Sequence, residues 1–160
     1  MILLKEKRIR RTIKRISYQI LEEAKNQQIA LVGLNERGFS LAKEIKSNLE
    51  EATGDDITLK QLNSEDESII EFDSDRVQNC ALFMIDDVIF SGGTMFRSIR
   101  KVKELSAFEK IFVVVLVDRG HRKYPVHAGI VGLDAPTKLN EQVELRLKNG
   151  LPHKVVLIEK

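Results

Sequence analysis

The stretch from Ala81 to Thr94, Ala-Leu-Phe-Met-Ile-Asp-Asp-Val-Ile-Phe-Ser-Gly-Gly-Thr, constrains the fold more than any other part of the chain. An apolar run meets two adjacent carboxylates and then a small-residue loop, the pattern of a buried strand that hands over to a helix. A loop of small residues opening into a helix can aim several backbone N–H groups at one anion. Asp86 and Asp87 stand just ahead of that cradle. Paired acids beside it suit a phosphorylated sugar, whose hydroxyls donate to the carboxylates while its phosphate lies in the loop. The competing reading is two strand-end acids that cap a turn, which burial makes costly unless donors reach them.

The rest of the chain supplies repeated strand-to-helix units. Lys5, Lys7, Arg8, Arg10, Arg11, Lys14 and Arg15 face a single acid, Glu6, while Ile9, Ile13, Ile16 and Ile20 recur at helical spacing. This predicts an amphipathic helix with a basic outer face. That face is either a solvated surface or a contact for RNA or another phosphate-rich partner, since a basic run alone reads no sequence. Ile29 to Leu34 reads as a strand, Asn35-Glu36-Arg37-Gly38 as a turn, and Leu41, Ala42, Ile45 and Leu49 as the inner face of a helix. Functional groups of open parallel sheets gather at the carboxyl ends of strands, where Arg37 falls. Ile57 to Lys60 is a short strand, and Ser64 to Asp75 is an acidic loop with an edge strand at Ser68-Ile69-Ile70.

After Thr94 a helix is predicted to about Leu105, with Met95, Ile99 and Val102 inward. Ile111 to Val117 is a continuous β-branched strand ending in Asp118-Arg119-Gly120-His121-Arg122, where His121 is either merely exposed or a phosphate or RNA contact. Ala128 to Gly132 is a further strand, and Ala135-Pro136-Thr137 a turn. Gln142 to Leu147 and Val155 to Ile158, joined at Asn149-Gly150, form a hairpin expected to extend the parallel sheet.

Composition narrows the class. At 160 residues, 42% hydrophobic and 31% charged, the chain is expected to be one globular domain spanning 1–160. No apolar run reaches the ~20 residues that cross a bilayer, and the N-terminus turns charged too soon for a secretory signal, so a cytoplasmic location without a membrane partner is expected. The net charge of +2 does not by itself imply nucleic acid. Cys80 is the only cysteine and reads as a packed thiol. There is no strand-following G-x-G-x-x-G and no G-x-x-x-x-G-K-[ST]. His121, His127 and His153 are not spaced as a metal cluster, so a divalent ion would arrive with a phosphorylated substrate.

With these motifs in place, the chain resembles the type I phosphoribosyltransferases, whose phosphoribosyl-pyrophosphate motif is a hydrophobic strand, two acids and a Thr/Ser-Gly-x-Thr loop. Leu116 to Arg122, Leu31-Val32-Gly33 with Arg37-Gly38, and Val131-Gly132 with Pro136-Thr137 bring the likeness to the bifunctional pyrimidine operon attenuation protein/uracil phosphoribosyltransferase group. The resemblance implies an α/β fold: a mostly parallel twisted sheet flanked by helices, with a C-terminal antiparallel hairpin. It implies that Asp86 and Asp87 bind the ribose hydroxyls, that Ser91, Gly92, Gly93 and Thr94 wrap the 5-phosphate, that Asn35, Glu36, Arg37 and Gly38 form the pyrophosphate loop, and that Val88 and Val131 also line the substrate site. Gly129-Ile130 falls beside the base, and Lys60 stands in for an arginine on the pyrophosphate side. Mg2+ with phosphoribosyl pyrophosphate, a nucleobase or nucleotide, and a homodimer or higher oligomer are implied too. Arg11, Lys14, Arg15, His121 and Arg122 are the candidate RNA contacts.

The sequence also departs from that pattern. Ser91-Gly92-Gly93-Thr94 stands where Thr-Gly-Arg-Thr is usual, and Thr58-Leu59-Lys60-Gln61 where Thr-Leu-Tyr-Arg is. Gly129-Ile130 replaces an acid and an aromatic, Gly132-Leu133-Asp134 replaces Gly-Lys-Asn, and Tyr18 replaces a histidine. These changes leave the phosphate cradle but thin the groups around pyrophosphate and base. The pyrophosphate- and base-side changes open a second expectation, a weakly catalytic or non-catalytic nucleotide-sensing regulator whose basic helix meets RNA, while Gly132-Leu133-Asp134 and Tyr18 argue against the RNA contact.

Overall fold

A computed structural model describes residues 1–160, with the side chain of Arg76 outside the described set. In chain order the elements are β1 (Ile2–Leu4), α1 (Glu6–Ala24), β2 (Gln28–Leu34), α2 (Asn35–Thr53), β3 (Thr58–Leu62), α3 (Ser74–Val77) and β4 (Cys80–Ile89). There follow α4 (Gly93–Ile99), a 3-10 turn (Leu105–Ala107), β5 (Lys110–Asp118), β6 (Ile130–Asp134), β7 (Glu141–Lys148) and β8 (Leu151–Glu159). The central sheet is parallel with strand order β3-β2-β4-β5-β6, and a second, antiparallel sheet has the order β1-β8-β7.

The order of the central sheet locates the site. From β2 the chain moves outward to β3, returns to the middle at β4, then steps the other way through β5 and β6. The strand order therefore reverses between β2 and β4, and ligands of open α/β sheets bind outside the carboxyl ends at such a switch point. Those ends carry Asn35 to Gly38 and Asp86 to Thr94, the two segments singled out in the sequence.

Each face of this sheet has its own core. On one, α1 and α2 pack through Ile9, Ile13, Ile16, Ile20, Leu41, Ala42, Ile45 and Leu49, together with Val143, Leu145 and Val155 of the antiparallel sheet. All four isoleucines of α1 are at most 3% exposed, and each such side chain contributes ~1.5–3 kcal/mol by leaving water. On the other face Val32, Leu82, Met84, Val113 and Val115 are covered by Ile70, Phe72, Val77, Met95, Val102 and Phe108. The acidic tract is thus not wholly solvated: its Ile70 and Phe72 help cover one face of the sheet.

Several expectations are corrected. The C-terminal hairpin does not extend the parallel sheet; it joins β1, and Ile2 and Leu4 pair with Val156 and Val155 of β8. Asn35 to Gly38 is the first turn of α2 rather than a separate turn, because Asn35 takes a left-handed φ of 58° and swings the chain directly from strand to helix. The helix after Thr94 ends at Ile99, not near Leu105. There Val102 leaves to bridge Ile70, with Ile70 N–H donating to Lys101 O and Lys103 N–H to Ile70 O at 2.9 Å each. Ser68-Ile69-Ile70 contributes only that bridge and no strand.

Candidate functional site

The carboxylates sit inside β4, which runs on through Val88 and Ile89. Asp86 is 7% exposed and its Oδ1 accepts the backbone N–H of Asp87 at 2.9 Å. Burial first, and the adjacent Asp87 second, push the Asp86 carboxyl well above the usual carboxylate range. Asp87 and Val88 are half-buried. The first turn of α2 lies against this point. A Cβ on Gly38 would come within 2.8 Å of Ile85 O and 3.3 Å of Asp86 Oδ1, so only glycine lets the helix approach so closely. Gly33 does the same from β2, where a Cβ would meet Phe39 Cα at 2.6 Å.

Beyond β4 the chain turns through Ser91 and Gly92, the latter at φ 86°, and enters α4. The Ser91 hydroxyl accepts the Gly93 N–H at 3.2 Å, and Phe96 N–H returns to Gly92 O at 2.9 Å. The N–H groups of Gly92, Thr94 and Met95 find no backbone acceptor among the described residues. They are the donors an anion in this loop would meet.

The segment after β5 braces that loop. The Arg122 guanidinium grips Asp118 with two bonds, at 2.9 and 2.7 Å, and also donates to Phe90 O and Val126 O at 3.0 Å each. Lys123 and Tyr124 N–H both donate to Ser91 O, at 2.9 and 3.0 Å. Burial alone would raise the Asp118 carboxyl, but hydrogen bonds from Arg122 and Gly120 N–H outweigh it and hold it below the usual range. Arg119 is 8% exposed, lies 4.2 Å over the Phe90 ring and donates to Thr137 Oγ1 at 2.8 Å and to Glu141 O. His121, at φ 63°, places Nε2 on Thr137 O. The Asp-Arg-Gly-His-Arg segment is therefore a scaffold beneath the Ser91–Thr94 loop, with the Asp118, Arg119 and Arg122 side chains tied to neighbouring backbone and side-chain groups.

The other candidate residues divide. Arg37 is held by Glu144 of β7 at 2.7 Å, and Glu36 is exposed beside it. Asn35 is locked to Ser64: its amide donates to Ser64 Oγ at 2.9 Å and its Oδ1 accepts Ser64 N–H at 2.9 Å. Lys60 donates to Glu71 O at 2.6 Å and lies 5.2 Å over Phe72, so it serves the acidic tract rather than reaching toward Asp86. On β6 Val131 is half-buried, and its carbonyl accepts Arg15 at 3.3 Å while Gly132 O accepts the same guanidinium at 2.5 Å. Of the candidate RNA contacts, Arg11, Lys14, Arg15 and His121 are exposed, Arg15 and His121 while bonded to backbone carbonyls, whereas Arg122 is half-buried against Asp118. Cys80 is buried and its thiol is pushed up to about 11 by that burial, as a packed thiol should be.

Two residues escaped the sequence reading. Ser64 is 3% exposed and joins the acidic tract to α2. Arg97 lies one helical turn past Gly93, a spacing that places both on one face and could have flagged it.

The phosphoribosyl transferase domain family matches residues 2–145. The chain belongs to the phosphoribosyltransferase family. Members of this family are glycosyltransferase-type enzymes, and the sheet order, the paired acids and the small-residue loop fit that membership. The Bifunctional protein PyrR of Actinobacillus succinogenes is 32% identical over 177 aligned positions, covering 99% of this chain and 98% of that protein. Bifunctional protein PyrR of Fusobacterium nucleatum is 35% identical over 92% of this chain and 90% of its own length. In three dimensions the phosphoribosyltransferase fold extends to the hypoxanthine phosphoribosyltransferase of Trypanosoma cruzi, with a TM-score of 0.74 at 16% identity over 99% of this chain and 96% of that one.

Proposed function

We propose that this protein is a cytoplasmic phosphoribosyltransferase that moves the 5-phosphoribosyl group of phosphoribosyl pyrophosphate onto a pyrimidine nucleobase, uracil by its likeness to the PyrR relatives, with release of pyrophosphate. The observation that carries the reading is the Asp86–Asp87 pair at the β2/β4 switch point, beside a loop with free backbone donors. In this reading Asp86 and Asp87 accept the ribose hydroxyls, and the backbone from Ser91 to Thr94 holds the 5-phosphate. The base lies toward β6 near Val131. As the bond to pyrophosphate loosens, positive charge develops on the ribose ring, and fixed carboxylates nearby favour it without reorganising. Pyrophosphate leaves past Asn35 to Gly38, where Arg37 is the nearby cation once it parts from Glu144.

No group of three or more His, Cys, Asp or Glu side chains placed to hold a metal occurs among the described residues. Two adjacent carboxylates fit a Mg2+ that is carried in by the substrate and keeps most of its ligands from phosphate and water. Bound there, the ion would neutralise charge on the departing pyrophosphate. A homodimer or higher homo-oligomer is part of the proposal by likeness.

The test is turnover of a nucleobase panel with phosphoribosyl pyrophosphate and Mg2+, run beside the Asp86→Asn/Asp87→Asn double variant. Turnover of one base that the variant loses supports transfer; no turnover of any base by the wild type refutes it.

A second reading is a nucleotide-sensing, weakly catalytic or non-catalytic RNA-binding regulator of pyrimidine genes, with no membrane partner. It is favoured by the exposed Lys7, Arg8, Arg11 and Lys14 on α1 and by the engagement of Lys60 away from the site. Under it, binding to a pyrimidine-operon leader RNA weakens steeply with salt and falls when Arg11 and Lys14 are replaced by Ala. An absence of binding at low salt removes that reading.

A further inference from the structure

Gly93 gives the phosphate loop no side chain, yet the space beside it is filled. A Cβ built on Gly93 would lie 3.2 Å from Nη1 of Arg97 and 3.1 Å from the Tyr124 ring. The other terminal nitrogen of Arg97, Nη2, meets Glu65 Oε1 at 3.1 Å, and Glu65 comes from the acidic tract. The same Glu65 carboxylate accepts Ser64 Oγ at 3.1 Å, and Ser64 is the residue latched to Asn35 at the start of α2. A continuous polar chain, Asn35 to Ser64 to Glu65 to Arg97, therefore joins the two loops of the switch point, and its one carboxylate sits on the one guanidinium beside Gly93.

Resting on the phosphoribosyl reading above, we propose that Arg97 is a phosphate-contact residue of this site and that Glu65 is the internal anion that holds it when no phosphate is bound. A guanidinium with one terminal nitrogen beside the loop and the other on a carboxylate can exchange that partner for a phosphate without leaving its place, since both are recognised by the same two-pronged geometry. The pair is solvent-accessible, with side-chain exposures of 48% and 72%, so Glu65 can be displaced readily. Lys101 anchors the tract on either side of Glu65, through Asn63 O at 2.9 Å and Asp66 O, and returns the carboxylate to the same spot. The arriving group is a phosphate monoester dianion, which outcompetes a single carboxylate by charge. Its binding frees Glu65 and loosens the Ser64 end of the chain that tethers Asn35.

The experiment is calorimetric titration of the full chain with ribose 5-phosphate at fixed ionic strength, with ribose and inorganic phosphate as control arms. The wild type is expected to bind ribose 5-phosphate more tightly than either control. Arg97→Ala should weaken that binding about tenfold or more, and Arg97→Lys should recover part of the loss. Glu65→Gln should tighten it several-fold, and this gain should vanish in the Arg97→Ala background, because the two effects act through one pair. Arg97→Ala binding within twofold of wild type overturns the proposal, as does a Glu65→Gln gain that survives without Arg97. Failure of the wild type to bind ribose 5-phosphate overturns the phosphoribosyl reading itself and this inference with it. All variants lie on exposed side chains, and unchanged melting temperatures separate lost contacts from lost folding.

Discussion

Asp86→Asn should make the ligand-free protein more stable and a poorer binder. The carboxylate is 7% exposed, lies under the first turn of α2 and accepts one hydrogen bond, from Asp87 N–H. An asparagine of the same shape keeps that acceptor and removes the charge. Burial and the neighbouring Asp87 raise the folded-state pKa of Asp86 above the ordinary 3.8, so the folded state binds this proton more tightly than the unfolded chain. Stability therefore falls as pH rises from 3.8 to the folded-state value and stays reduced above it. The variant lacks this loss, so its advantage over wild type should be small near pH 4, grow with pH and level off. Relieving one under-solvated buried charged group is worth ~1–3 kcal/mol, about 2–10 °C in melting temperature for a chain of this size. Urea unfolding of both proteins from pH 4 to 8 measures it. Ribose hydroxyls lose a charged acceptor, which should weaken phosphoribosyl pyrophosphate binding roughly 10- to 100-fold. A variant less stable than wild type at pH 7.5, or a stability difference that ignores pH, would refute the reasoning about burial. A stabilised variant with unaltered affinity would refute the ribose assignment alone.

Arg122→Ala removes the bidentate grip on Asp118 and the bonds to Phe90 O and Val126 O; it should cost ~2–3 kcal/mol in urea unfolding and weaken phosphate binding through a loosened Ser91 loop. Asp118 has the opposite sign to Asp86: its folded-state pKa is depressed, so its contribution is present above the ordinary 3.8 and is lost as pH falls through the folded-state value. Asp118→Asn should therefore be less stable than wild type at neutral pH, with the gap closing in strong acid. Gly38→Ala drives a Cβ against the carbonyl of Ile85 at 2.8 Å, and a melting-temperature fall matching ~1–3 kcal/mol together with weaker ligand binding is expected; an unperturbed variant would show that α2 need not press on β4. Lys60→Ala should change kcat/KM by less than about twofold because the ammonium is engaged with Glu71, and a loss beyond about tenfold in steady-state assays would show that it leaves the tract to meet pyrophosphate.

What could be read from the sequence was what depends on neighbours along the chain. The isoleucine stripe of α1, the apolar run from Ala81 to Ile85 and the hairpin at Asn149-Gly150 follow from periodicity and turn chemistry, and each formed, although β4 runs on past the acids to Ile89. The acids and small residues of the central stretch likewise marked the switch point before any strand order was known. Misses came where a distant segment decides. Three apolar residues at the N-terminus carry no strand signal of their own, and only pairing with β8 makes β1. The apolar spacing after Thr94 continues past Ile99, but Ile70 draws Val102 out of the helix. Charge was the least legible property. Arg119 and Arg122 look like surface residues in sequence but are withdrawn onto carbonyl and hydroxyl groups, and the exposed Arg15 and His121 bond carbonyls that no local pattern reveals.

The acidic tract changes meaning most. In sequence it is a solvated loop; in the structure its Ile70 and Phe72 help cover one face of the sheet while its polar residues tie down both loops of the switch point. These two roles have different strengths. The apolar roof contributes several kcal/mol through burial, so the tract stays with the fold. The exposed polar ties, Arg97 to Glu65 and Lys103 to Glu71 among them, contribute only ~0–1 kcal/mol each. Breaking one exposed tie therefore lowers a ligand's net affinity by no more than about fivefold, whereas stripping the roof would lower it by several orders of magnitude. On the proposed reading, phosphoribosyl binding is matched to a local release of Glu65, with the buried Ser64 and the apolar roof held in place. That division lets one segment stabilise the sheet and still yield at the site.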